Sequence, residues 1–202
     1  MSETREGGRV ALLVMDFQPG ILARLPDADA LLERAAVAIA TVRRQGGRIG
    51  FVRVAFAPDD LAALAGSPMG RLITGGGQAA LEAMHADASS TAIHPTIAPE
   101  PGDIVVRKTR VGAFSSTDLD ARLRSAGVDT LVLAGVATSG VVLSTVREAF
   151  DRDYRMYVLA DATADPDPQT HEFLLGRVLP GQAEVITVDQ LAGVLRAGAA
   201  IQ

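Results

Sequence analysis

Residues 131–149, LVLAGVATSGVVLSTVREA, restrict the fold more than any other stretch of the chain. Residues 131–134 are the aliphatic and β-branched run of a buried strand, and Gly135 ends it. From Val141 onward, Val142, Thr145, Val146 and Ala149 recur three to four apart with Arg147 and Glu148 opposite, the pattern of an amphipathic helix. Thr138 and Ser139 are side chains suited to capping that helix. A strand that turns this sharply into a helix aims backbone N–H groups at a cleft, where they can hold an anion or an oxyanion. Such a turn commonly displays a nucleophile, yet the residue that opens this helix is Val141.

The same strand-then-helix alternation runs through the chain about six times. Residues 10–15 (VALLVM) are apolar without a break and stop at Asp16, as in a strand buried on both faces. A helix over 30–44, capped by Asp27 or Asp29, places Leu31, Ala35, Ala38 and Val42 inward. Residues 48–54 form a second strand and 104–106 a third, which ends in Arg107 and Lys108. A helix through Ser125, capped by Thr117 or Asp118, leads to the fourth strand. The fifth covers 155–159 and ends at Asp161. Proline is tolerated in a first helical turn, so residues 165–168 (DPDP) open a helix. The sixth strand is 184–188, and Asp189 caps the last helix. Residues 58–90, broken by Gly66, Pro68, Gly70 and the triplet Gly75, Gly76 and Gly77, read as an irregular excursion on one rim of the sheet. The pattern predicts an α/β fold with a parallel sheet between two helical layers. With no linker, repeat or low-complexity tract, residues 1–202 are expected to be one domain, residues 1–8 being a flexible terminus.

Composition removes whole classes of function. The chain has 202 residues, a net charge of −5 and 4% aromatic residues, with no basic run, so a nucleic-acid surface is not expected. It has no cysteine, which excludes disulfides, thiolate metal sites and thiol catalysis. No apolar run nears the ~20 residues of a membrane span, and a cytoplasmic setting is expected. His85, His94 and His171 lack the spacing of metal ligands and read as surface, packing or hydrogen-bonding residues.

In open α/β sheets ligands bind beyond the carboxyl ends of the strands. The polar residues at such ends are Asp16, Lys108, the turn at 135–139 and Asp161, with Arg53 within the second strand. An acid and a base converging there, Asp16 and Lys108, would perturb each other's ionisation and could handle protons.

With these residues in place, the chain resembles the isochorismatase-like hydrolases, from about residue 10 to residue 189. The resemblance rests on ALLVMDFQ, on KTRVGAFSSTDLDARLRSAGVDTLVLAGVATSG with its following helix, and on YVLADATAD. It implies a Rossmann-like six-stranded parallel sheet in the order 3-2-1-4-5-6, and a homodimer or larger assembly. Amidase members use an Asp after strand one, a Lys after strand three and a Cys opening the helix after strand four. Asp16 and Lys108 match the first two, and Val141 stands where the cysteine would be. The resemblance places a cis peptide at Val136–Ala137 and gives Val136, Ala137 and Gly140 to an oxyanion turn. Phe17, Gln18, Arg53, Phe114 and Ser139 would line the pocket for a small-molecule substrate. The metal site of some amidase members uses histidines after strand two, and VAFAPDD has none, so neither metal nor cofactor is expected.

A valine offers no lone pair, so acyl transfer to residue 141 is impossible. Three readings follow. Asp16 gives a proton to the substrate while water attacks, as isochorismatases proper work without the cysteine; Lys108 opposes this by favouring the carboxylate, unless burial outweighs it. A hydroxyl, Ser139 or Ser144, replaces the thiol. Or the protein keeps the pocket as a binding or partner-contact homologue and has lost turnover.

Overall fold

The computed structural model describes residues 9–200. Its centre is a six-stranded parallel sheet in the order β3-β2-β1-β4-β5-β6. The strands are β1 (Arg9–Met15), β2 (Arg48–Val54), β3 (Ile104–Lys108), β4 (Val128–Val136), β5 (Arg155–Ala164) and β6 (Glu184–Ile186). Alternate residues of each strand feed opposite cores. On β1, Ala11, Leu13 and Met15 pack beneath α6 (Leu119–Ser125) and α7 (Leu143–Phe150), against Leu123, Val146 and Ala149. Leu12 and Val14 pack on the other face, against Leu31, Ala35 and Val42 of α2 (Ala28–Arg44) and Leu191 of α9 (Val188–Ala200). Covered on both sides, a strand needs no polar alternation, which is why 10–15 reads as an unbroken apolar run. Leu133 of β4 is fully buried in the centre of the sheet. Leu133→Ala is expected to cost about 2–5 kcal/mol, read as a lower urea midpoint with an unchanged slope.

Three expectations are corrected. The rim excursion is helical: α3 (Pro58–Leu64), α4 (Pro68–Thr74) and α5 (Gly77–Ala83) follow one another after the short α1 (Pro19–Leu22) and α2. The prolines start two of these helices instead of breaking them, because a first-turn residue needs no N–H partner. The Asp60 carboxylate accepts from the Ala57 N–H at 2.7 Å, and the Ser67 hydroxyl from the Gly70 N–H at 3.0 Å. The excursion carries a small core of its own, with Phe56, Leu64 and Ile73 buried. Second, β5 runs past Asp161 to Ala164 through an irregular register beside β4. The Asp161 carboxylate therefore lies within the strand, paired with Arg34 at 2.5 Å and accepting the Val188 N–H at 2.8 Å, a tie between α2, β5 and α9. Third, Asp189 lies in the first turn of α9, not before it. Asp27 and Asp167 do cap α2 and α8 (Pro168–Phe173). The expected flexible terminus at 1–8 lies outside the described residues. Among the described residues, no helix is long and apolar enough to cross a membrane.

Candidate active site

The sheet brings Asp16, Lys108 and the turn at 136–142 to one end of the molecule, the carboxyl ends of β1, β3 and β4. Asp16 is in the left-handed region, φ +61°, and its N–H donates to the Val52 carbonyl at 2.8 Å. Aspartate tolerates this conformation better than most residues. Lys108 ends β3, two strand spacings from β1, roughly 10 Å. Only a long side chain can cross the end of β2 to meet Asp16, and lysine does so: Nζ lies 2.9 Å from Asp16 Oδ2.

This pair is nearly sealed, Asp16 being 4% and Lys108 2% exposed. The Lys108 ammonium has three N–H donors and three acceptors in reach, Asp16 Oδ2, the Arg110 carbonyl at 3.1 Å and the Val111 carbonyl at 3.0 Å. Asp16 has an oxygen to spare, since Oδ1 is buried with no hydrogen-bond partner. Burial pushes the Asp16 carboxyl up to about 6, and the charge and hydrogen bond of Lys108 pull it back only in part. The two effects weighed from the sequence thus have an order: desolvation wins.

The turn after β4 departs from the simple capped helix expected. The Val136–Ala137 peptide is cis, at the position the family resemblance implied. Residues 138–142 form a wide helical turn before α7 begins at Leu143. Neither Thr138 nor Ser139 caps it. The Thr138 hydroxyl pairs with His171 Nδ1 at 2.8 Å, and the Ser139 N–H and hydroxyl both donate to Asp165 Oδ2, at 2.8 and 2.7 Å. The Ser139 side chain points to the segment that joins β5 to α8, and the Thr138 side chain to α8 itself. Burial holds the His171 imidazole below its ordinary value, which favours the neutral ring. The Gly140 and Val142 N–H groups turn back to the Ala137 carbonyl, at 3.1 and 3.3 Å. Val141 is 2% exposed, in one core cluster with Met15, Ala113 and Phe114.

The side chains expected to line a pocket are engaged within the protein itself. Gln18 is 1% exposed. Its amide NH₂ donates to the Val54 and Thr91 carbonyls, and its oxygen accepts the Val54 N–H. One Arg53 nitrogen donates to the Ala86 and Thr91 carbonyls, at 3.1 and 3.0 Å. Phe17 is buried in the core beneath α2. Phe114 is buried in the opposite core, where its ring stacks 6.0 Å from that of Tyr154. Ser144 lies on α7, partly buried. The links of Thr138 to His171 and Ser139 to Asp165 went unseen in the sequence. The DPDP signal marked the helix start but not its contacts.

Among the described residues, no group of three or more His, Asp or Glu side chains is arranged to hold a metal ion. A family model described as the isochorismatase domain matches residues 10–190. The isochorismatase family protein YwoC of Bacillus subtilis is 34% identical over 182 residues, 90% of this chain and 92% of that protein. Of solved structures, an isochorismatase family protein from Burkholderia thailandensis superposes with a TM-score of 0.77 at 28% identity, covering 94% of this chain and 99% of that one. The N-carbamoylsarcosine amidase from Thermoplasma acidophilum gives 0.73 at 30% identity, over 90% and 97%.

Proposed function

The chain belongs to the isochorismatase family of hydrolases, and from that premise we propose that it hydrolyses a small molecule without a covalent intermediate, Asp16 supplying the proton. The observation that carries this reading is the buried, unpartnered Oδ1 of a carboxyl whose ionisation is pushed up to about 6. Because Oδ2 accepts from Lys108, a proton on Asp16 resides on Oδ1. That oxygen gives the proton to the departing portion of the substrate while water adds to the other. The spare proton of the water then returns to Asp16, restoring the acid. Lys108 remains an ammonium, held by its three acceptors, and tunes the carboxyl without touching the substrate. Developing negative charge would fall to amides of the turn at 137–141 other than those of Ser139 and Gly140, which are engaged elsewhere.

The test is a turnover screen of isochorismate, simple vinyl ethers and small amides, followed by a pH profile on whichever reacts. A group needed in its protonated form works fully below its pKa. The profile of kcat/KM should therefore be flat below pH 6 and fall about tenfold per unit above it, with about a tenth of the acid form left at pH 7. A profile that rises through pH 6 would show Asp16 acting as a base.

One observation favours a second reading, a pocket-bearing homologue without turnover. Val141 is packed into the core, and Asp16 Oδ1 is closed to solvent as well as unpartnered. Hydrolysis requires this cover to open. No turnover on any of the three substrate classes would leave the binding reading standing.

A further inference from the structure

Lys108 is aimed at Asp16 by a loop, and that loop is aimed by α7. Beyond the two carbonyls that receive the ammonium, those of Arg110 and Val111, the chain turns onto the helix. The Ala113 N–H donates to the Thr145 hydroxyl at 3.2 Å, and the Phe114 N–H to Glu148 Oε2 at 3.2 Å. Thr145 is fully buried. Between these anchors Gly112 lies so close to Glu148 that a Cβ there would be 2.4 Å from Oε1. Thr145 and Glu148 are one helical turn apart on α7, so they present two acceptors in a row to two consecutive amides. The same helix continues directly from the turn at 138–142. The lysine side and the amide side of the site thus hang from one rigid element.

We propose that Thr145 and Glu148 are positioning residues for the proton donor: they fix the 110–114 loop, whose carbonyls hold the Lys108 ammonium against Asp16. This rests on the reading of Asp16 as the acid. The ammonium already sits at hydrogen-bond contact, so a loop that drifts can only lengthen the pair. Burial then acts on Asp16 with less opposition, and the carboxyl titrates higher. The neighbouring charges do not substitute for Lys108. From β2, Arg53 is turned to the Ala86 and Thr91 carbonyls, and from the loop Arg110 bonds to Thr109. From α7, Glu148 faces the loop, while Asp165 and His171 hold the far side of the turn.

The test is a ¹³C NMR titration of the Asp16 carboxyl in the full chain, with Asp16→Asn to assign the resonance. Thr145→Val and Glu148→Leu each remove an acceptor at nearly constant shape, whereas Thr145→Ser and Glu148→Gln retain it. The removing pair should raise the Asp16 midpoint by about one unit, a tenfold change in proton affinity, and the retaining pair should leave it near the wild-type value. Should the removing pair fail to fold, Gly112→Ala, which displaces only the Glu148 contact, is expected to give a smaller rise. A midpoint common to all folded variants would overturn the proposal. So would a fall toward the ordinary carboxyl value, which would mean that the loop seals the site and does not aim the lysine. A wild-type midpoint near 4 has a different meaning: it removes the acid reading itself.

Discussion

Replacing Asp16 by asparagine should lower turnover by roughly 10²- to 10⁴-fold, the usual contribution of a positioned acid. Asparagine keeps the shape of the side chain and can present its oxygen to Lys108, so the loss reports the missing proton. The cost to the fold is a separate matter. The substitution leaves Lys108 in a nearly sealed site without a carboxylate partner, and removing one member of a buried pair is expensive. Circular dichroism and a thermal melt therefore accompany the assay, and the comparison is made on folded protein. Activity that survives in a folded Asp16→Asn variant would rule out proton donation from this residue.

The second large effect is a gain. Val141→Cys should create amidase activity that iodoacetamide abolishes, rising by about 10²-fold or more over the wild type on small amides. The chain has no cysteine of its own, so any thiol-dependent signal comes from this position. Cysteine is smaller than valine and fits the space that Val141 occupies in the core around Met15, Ala113 and Phe114. The turn precedes α7, and the start of a helix favours the thiolate. The Asp16–Lys108 pair is already in place. A folded variant whose thiol stays inert would show that the register at 141 is wrong or that the site does not open.

Much of this arrangement is legible in the sequence because it is written in patterns with a period. Unbroken apolar runs such as 10–15 give parallel strands, and their abrupt polar ends give Asp16 and Lys108. Four features are not legible in such patterns. The rim excursion reads as irregular because Pro68 and the glycines around it look like breakers, whereas Pro68, like Pro58, opens a helix. Thr138 and Ser139 look like caps, since their side chains suit that task equally well. Only the fold brings Asp165 and His171 close enough to claim them. The balance of burial against Lys108 at Asp16 cannot be read from spacing, because it depends on how completely the pair is covered. The same holds for Thr145, which the helical pattern marks as inward-facing and which proves to be a hydrogen-bond acceptor for a distant loop.

Everything proposed for the site turns on the protonation of one carboxyl. The direct measurement is the ionisation of Asp16 in the wild-type protein, followed by ¹³C NMR between pH 3 and 9. A midpoint near 6 is the predicted result. A midpoint near the ordinary carboxyl value would mean that Lys108 outweighs burial and that Asp16 is a carboxylate throughout the neutral range, without a proton to give.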